Sequence, residues 1–338
     1  MASNTSEIKA VATNIITGFL GVGKTSAILH LLKSKPAEER WAVLVNEFGE
    51  IGVDASMIEG RYSQSQGVFI KEVPGGCMCC AAGLPMQIAL NQLLSRARPD
   101  RLLIEPTGLG HPKEVLQVLS ANYNRETLSL EKTVTLVDAR NLVDKRYTQH
   151  DTFNQQIAVA DIVIGNKLDL YQADEQATLQ AYVQVHGQPH TQVVFCQNAA
   201  IPLSLLAGPT LTKWSKSSHQ HTQSVSQPMA SQVAIPDSGF IKAVNSGEGF
   251  NSIGWRFSAS RVFSYSQLFE CLTGVSAQRM KAVFITDNGV FGYNLSADVL
   301  TELALDDCLE SRIEIIDGCV DEGLEEKLLA CIEDQTLA

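Results

Sequence analysis

"GFLGVGKT", residues 18–25, lies between an apolar run and a helical pattern, and it decides the fold. It fits G-x-x-x-x-G-K-[ST] in strand–loop–helix context, the layout of a phosphate cradle. Glycines let backbone N–H groups curl around phosphate oxygens, and the start of the helix adds a favourable dipole. Gly18, Gly21, Val22 and Gly23 form the loop, Lys24 can reach β- and γ-phosphates, and Ser26 opens the helix beside Thr25. The Thr25 hydroxyl is a candidate Mg²⁺ ligand.

Working outward, the loop's strand "VATNIITGF" has five partners of similar character. They are "WAVLVNEF", "DRLLIEPTG", "KTVTLVDAR", "ADIVIGNKLD" and "TQVVFC". Several are almost continuously apolar, as strands covered on both faces must be. Segments at helical spacing separate them, among them "SAILHLLKSK" and "LPMQIALNQLLSRA". Alternating strands and helices predict an α/β domain with a mostly parallel sheet.

Further motifs fall at the strand ends. In "NKLD", Asp169 can accept from N1–H and the 2-amino group of guanine, donors that adenine does not offer in that arrangement. Lys167 can lay its stem along the base and Asn166 can brace the loop. The nucleotide predicted is GTP. Glu105, ending "LLIE", is placed to hold or orient water on Mg²⁺. Thr107 and Gly108 are candidates for sensing the γ-phosphate, and Asp138 is a second strand-end acid of the same kind. The predicted catalytic set is Lys24, Thr25 and Glu105.

"GGCMCC" crowds Cys77, Cys79 and Cys80 into four residues, whereas Cys196, Cys271, Cys308, Cys319 and Cys331 stand singly. In extended backbone Cys77 and Cys79 point to one side, a short-bite thiolate pair for a borderline cation such as Zn²⁺. No second C-x-x-C pair completes a closed structural site, so reversible binding is predicted. Glu47, Glu50 and Asp54 of "NEFGEIGVD" are candidate oxygen ligands, Glu50 the first choice. A buried loop of small apolar side chains is the competing reading of the cysteines.

The 338 residues are 45% hydrophobic and 19% charged, the composition of an ordinary globular chain. A net charge of −11 disfavours broad binding to nucleic acid, which needs a cationic face. The opening residues lack the pattern of a signal peptide, and no apolar run approaches a membrane span. Eight cysteines are too sparse for a disulfide framework, so the reducing cytoplasm is the expected compartment. Residues 1–10 read as a tail, 11–207 as the nucleotide domain, 208–238 as a Ser/Gln/His-rich linker and 239–338 as a smaller α+β domain. In the last, Asp287, Asn288 and Gly289 signal a hairpin, and Leu324, Leu328, Leu329 and Ile332 share one helical face.

The ordered motifs "TGFLGVGKTS", "NEFGEIGVD", "GGCMCC", "IEPTGLGHP", "TVTLVDA" and "ADIVIGNKLDL" resemble the CobW-like family of P-loop GTPases. These are metallochaperone relatives of the urease and hydrogenase nickel-insertion GTPases. The resemblance covers most of residues 11–206, and "RMKAVFIT…SRIEIID" is similar to the family's second domain. It implies Mg²⁺-dependent GTP hydrolysis coupled to handling of Zn²⁺, or of Co²⁺ in the cobalamin-linked branch. It carries over Gly18–Thr25, Cys77, Cys79, Cys80, Glu105 and Asn166–Asp169, with Glu47 and Glu50 matching an acidic segment that binds metal in some members. Val45 stands where some members have another glutamate. The histidine tract of some members shrinks here to His219 and His221, which read as solvated linker.

The expected partners are GTP/GDP, a client metalloprotein and a second copy of the chain, without nucleic acid or membrane. Two other classes compete. A metal- or redox-responsive regulator would bind GTP with little turnover. An ATP-using small-molecule kinase would need an acceptor pocket that has no signature here, and Asp169 opposes it.

Overall fold

The structure, a computed structural model, describes residues 8–45, 53–59, 61–62, 64–73, 84–211, 234–247, 250–296, 299–317 and 323–333. By internal contacts the chain forms two units, Met1–Asn46 with Gln64–Ser226, and Glu47–Ser63 with Gln227–Ala338.

The first unit is built on β1 (Val11–Gly18), β2 (Trp41–Val45), β3 (Val68–Glu72), β4 (Arg101–Glu105), β5 (Leu128–Leu130), β6 (Val134–Val137), β7 (Ile162–Gly165) and β8 (Gln192–Phe195). They form one sheet in the order β3-β2-β4-β1-β6-β7-β8, with β5 also pairing β1. Its pairings are parallel. The α/β expectation therefore holds, and the continuous apolar strands are the buried central ones, as sheets covered on both faces require. β3 and β5 are additions that the apolar runs did not announce.

The helices are α1 (Lys24–Lys33), α2 (Val53–Glu59), α3 (Leu84–Ala97), α4 (Pro112–Leu119), α5 (Lys145–Thr148), α6 (Asp151–Ala158) and α7 (Glu175–His186). α1 shows how sequence sets a boundary. Gly23, at φ 98°, turns the chain into the first turn, and Ala27, Ile28, Leu31 and Leu32 then bury one face. α3 buries Met86, Ala89, Leu90, Leu93 and Leu94 in the main core with Leu44, Leu102 and Ile104.

α2 belongs elsewhere. Although it follows β2 in sequence, it lies against strands of the second unit. That unit carries β9 (Phe240–Gly247), β10 (Phe250–Phe257), β11 (Arg279–Thr286), β12 (Gly289–Ser296), β13 (Val299–Leu305) and β14 (Ser311–Asp317), with α8 (Tyr265–Thr273) and α9 (Leu324–Ala330). The sheet is antiparallel, ordered β13-β12-β11-β14-β10-β9. Asp287 and Asn288 make the β11–β12 turn, with Thr286 opposite Gly289. One face packs Trp255, Phe257, Phe284 and Tyr293 against Leu268 and Leu272 of α8 and Leu324 and Leu328 of α9. On the other face, Met57 of α2 meets Val283 and Leu305. No helix among the described residues is long and apolar enough to cross a membrane.

Candidate functional site

The carboxyl ends of β1, β4, β6, β7 and β8 lie along one edge of the first sheet, where an open α/β sheet binds its ligand. The glycine-rich loop starts there. A Cβ on Gly18, at φ 145°, would run into the Leu136 carbonyl, and one on Gly23 would lie 2.7 Å from Asn166 Nδ2. Only glycine fits these two positions, and Gly21 is also left-handed, at φ 69°. The chain thus curls tightly at the start of α1, the geometry that a phosphate requires.

Lys24 and Thr25 are buried, and Ser26 is exposed in the first turn of α1. Lys24 Nζ donates to the Phe19 carbonyl at 3.1 Å, folding over the loop. Thr25 Oγ1 donates to Glu105 Oε1 at 3.1 Å, and Glu105 is only 1% exposed. A hydroxyl and a carboxylate side by side beneath a glycine loop are the hard oxygen donors that Mg²⁺ takes, so the residues present fit that ion. The next loop is close: a Cβ on Gly108 would lie 3.0 Å from Lys24 Nζ, and Gln156 Nε2 of α6 donates to the Gly108 carbonyl at 2.9 Å. Thr107 is buried within the same loop.

Asn166 ties three loops together. Its Nδ2 donates to the Val22 carbonyl at 2.8 Å, and its Oδ1 accepts from the Ala199 N–H at 2.8 Å. The Cys196 thiol donates to the same oxygen at 3.5 Å, and the Leu168 N–H donates to the Cys196 carbonyl at 3.0 Å. Burial pushes the Cys196 thiol up to about 11, so it stays neutral and serves as a donor. Asp169 is exposed beside this brace. Nothing in the sequence of residues 197–200 marks this role, because the contribution is the Ala199 backbone amide, which no side-chain motif signals.

Asp138 differs from the strand-end acid expected. Its carboxylate accepts from Arg140 Nε at 2.9 Å and Nη2 at 2.7 Å, and lies 3.3 Å from Lys167 Nζ. Burial pushes its pKa up, but the Arg140 hydrogen bond and the Lys167 charge outweigh that and hold it below the ordinary value.

A family model for the CobW/HypB/UreG nucleotide-binding domain matches residues 12–195, over half of the chain. The chain belongs to the CobW/HypB/UreG family. This CobW-family chain is 39% identical over 310 residues to the zinc chaperone YeiR of Escherichia coli (strain K12), covering 90% of this chain and 92% of that one. It is 30% identical over 177 residues to the zinc-regulated GTPase metalloprotein activator 1 of Schizosaccharomyces pombe. That match takes in 52% of this chain and 43% of the relative. Among solved structures, the Zn(II)-bound YjiA GTPase of E. coli aligns at TM-score 0.45 and 17% identity, over 96% of this chain and 99% of that one.

The expected metal ligands Cys77, Cys79, Cys80, Glu47 and Glu50 lie outside the described residues, as do His219 and His221. Among the described residues no group of three or more His, Cys, Asp or Glu is placed to hold a metal ion. The Cys331 thiol donates to the Lys327 carbonyl at 3.1 Å, and Cys271 packs against the same core of the second unit.

Proposed function

We propose that this chain is a Mg²⁺-dependent GTPase and metallochaperone of the cytoplasm. It binds GTP at Gly18–Ser26 and Asn166–Asp169. It carries Zn²⁺, with Co²⁺ the alternative cargo, on Cys77, Cys79 and Cys80 with Glu50 and Glu47, and passes it to a client metalloprotein. The observation that carries the nucleotide half is the Thr25–Glu105 contact at 3.1 Å, beside the Lys24 ammonium at the start of α1. The two oxygens already stand together beside Lys24, which supports a prearranged seat for a phosphate-bound cation that would need little reorganisation at the moment of reaction.

Lys24 offsets phosphate charge, and Thr25 with Glu105 sets the position of the cation. A bound Mg²⁺ would neutralise charge developing on the β- and γ-oxygens. Gly108, close to Lys24, lets the loop after β4 respond to the terminal phosphate. The cargo half rests on ligand chemistry: three thiols within four residues give soft donors, and two neighbouring glutamates give oxygen donors. Family kinship with proteins named zinc chaperones supports the same cargo.

The test is a competitive Zn²⁺ titration of the apo-protein against a chromophoric chelator, with and without Mg²⁺ and a non-hydrolysable GTP analogue. Coupling of the usual size changes metal affinity about 5- to 150-fold, and by reciprocity Zn²⁺ changes analogue affinity by the same factor. Metal affinity indifferent to nucleotide would refute a chaperone cycle. Gel filtration in the same four states reports whether a homodimer forms.

A further inference from the structure

We infer that Asp138 is a positioning residue for base recognition, holding Lys167 so that its side-chain stem lies along the guanine. The inference rests on the GTP reading above and adds a residue to it. The backbone of Lys167 is left-handed, φ 63° and ψ 37°, a conformation that residues with a Cβ seldom adopt and that must be held in place. Its ammonium lies 3.3 Å from Asp138 Oδ2, with Asp138 2% exposed at the end of β6. Arg140 donates to Oδ1 through Nε and its own backbone N–H, and its Nη2 shares Oδ2 with Lys167.

The loop after β6 is fastened to the loop after β7 a second time, by the Ala139 N–H donating to Tyr171 Oη at 2.9 Å. A carboxylate committed to Arg140 and Lys167 faces the base loop, whereas Glu105 takes the Thr25 corner. Arg140 keeps the buried acid ionised, so the acid can in turn fix the lysine. With its nitrogen pinned, the four-carbon stem is left as a flat apolar strip for a purine face.

The experiment is a double-mutant cycle on the full chain, using Asp138→Asn, Lys167→Met and the pair, read by the dissociation constant of a fluorescent GDP. Lys167→Met keeps the stem and removes the pinned ammonium, so it tests the link even if Asp138→Asn fails to fold. Each single change is expected to weaken GDP about 10- to 100-fold, the range that a charge-assisted hydrogen bond commands. The pair is expected to be no worse than the weaker single, because both break one link. KM for GTP rises while kcat and the Mg²⁺ concentration for half-maximal turnover stay put.

Additive losses, or a lower kcat with a raised Mg²⁺ requirement and unchanged KM, would overturn the inference while leaving the GTP reading intact. Wild-type protein that binds ATP as tightly as GTP would overturn the GTP reading itself and the inference with it.

Discussion

Asn166 is expected to act as a brace and Asp169 as a reader, although they stand three residues apart in one motif. In Asn166→Ala, the Val22 carbonyl and the Ala199 N–H each lose a 2.8 Å partner, at a site where Asn166 is buried. Leaving a buried backbone group unsatisfied costs about 1–3 kcal/mol. Two such groups, with some return of water into the space vacated, put the loss at about 2–4 kcal/mol. For a unit of this size that corresponds to roughly 5–15 °C in Tm. The assay is urea and thermal unfolding without nucleotide, followed by nucleotide titration. Asp169 is exposed, so Asp169→Asn should shift stability by no more than ~0.5 kcal/mol while turning preference from GTP towards XTP. Its new amide can donate to the 2-oxo group of xanthine. If Asn166→Ala lost less than ~1 kcal/mol without nucleotide, the brace would not exist, and the hydrogen bonds drawn through it would carry no energy.

Lys24→Ala should lower steady-state GTP hydrolysis at least ~100-fold, the order of a lost electrostatic stabiliser, and surviving turnover would contradict the role given to it. Serine at both Cys79 and Cys80 should abolish tight Zn²⁺ binding yet leave GTP affinity in metal-free buffer within about two-fold. Because ligation displaces thiol protons, wild-type Zn²⁺ affinity should fall as pH drops below 7. In the second unit, burial pushes Glu310 up, but hydrogen bonding from Arg256 and the Arg312 charge outweigh it, so its pKa lies below the ordinary 4.5. Its contribution is therefore full above that value and lost as pH falls through the lower folded one. Glu310→Gln should cost about 2 kcal/mol at pH 7, and its urea midpoint should converge with wild type as pH falls below the lowered pKa of Glu310.

Six of the first unit's strands were legible because each is an apolar run that stands out against polar neighbours, five of them largely buried and β8 half-buried at the edge of the sheet. β3 was not, since "VFIKE" turns charged after three residues, and β5 is only three residues long. Such strands draw their order from partners already in the sheet rather than from their own composition. The phosphate loop was legible because its chemistry is local in sequence. Asp138 was only a lesser candidate beside Glu105, because a strand-end acid looks alike whether it faces a metal corner or a lysine. Only the register of β6 beside β7 decides that. The bond to Ala199 was invisible for a different reason, since any residue but proline carries that N–H.

The seat of α2 sets an order on the birth of the protein. Met57 leaves the ribosome long before the strand it lies against, since Arg279–Thr286 follows roughly 220 residues later. At about 5–20 residues per second the wait is on the order of 10–45 s. Through that interval a short helix carries exposed apolar side chains while the strands on both sides of it in sequence are free to assemble. A chain cut after residue 207 would never end the wait. Its sheet could close, but α2 would remain a permanent apolar flag, so solubility of such a fragment should depend on Met57 rather than on the nucleotide site.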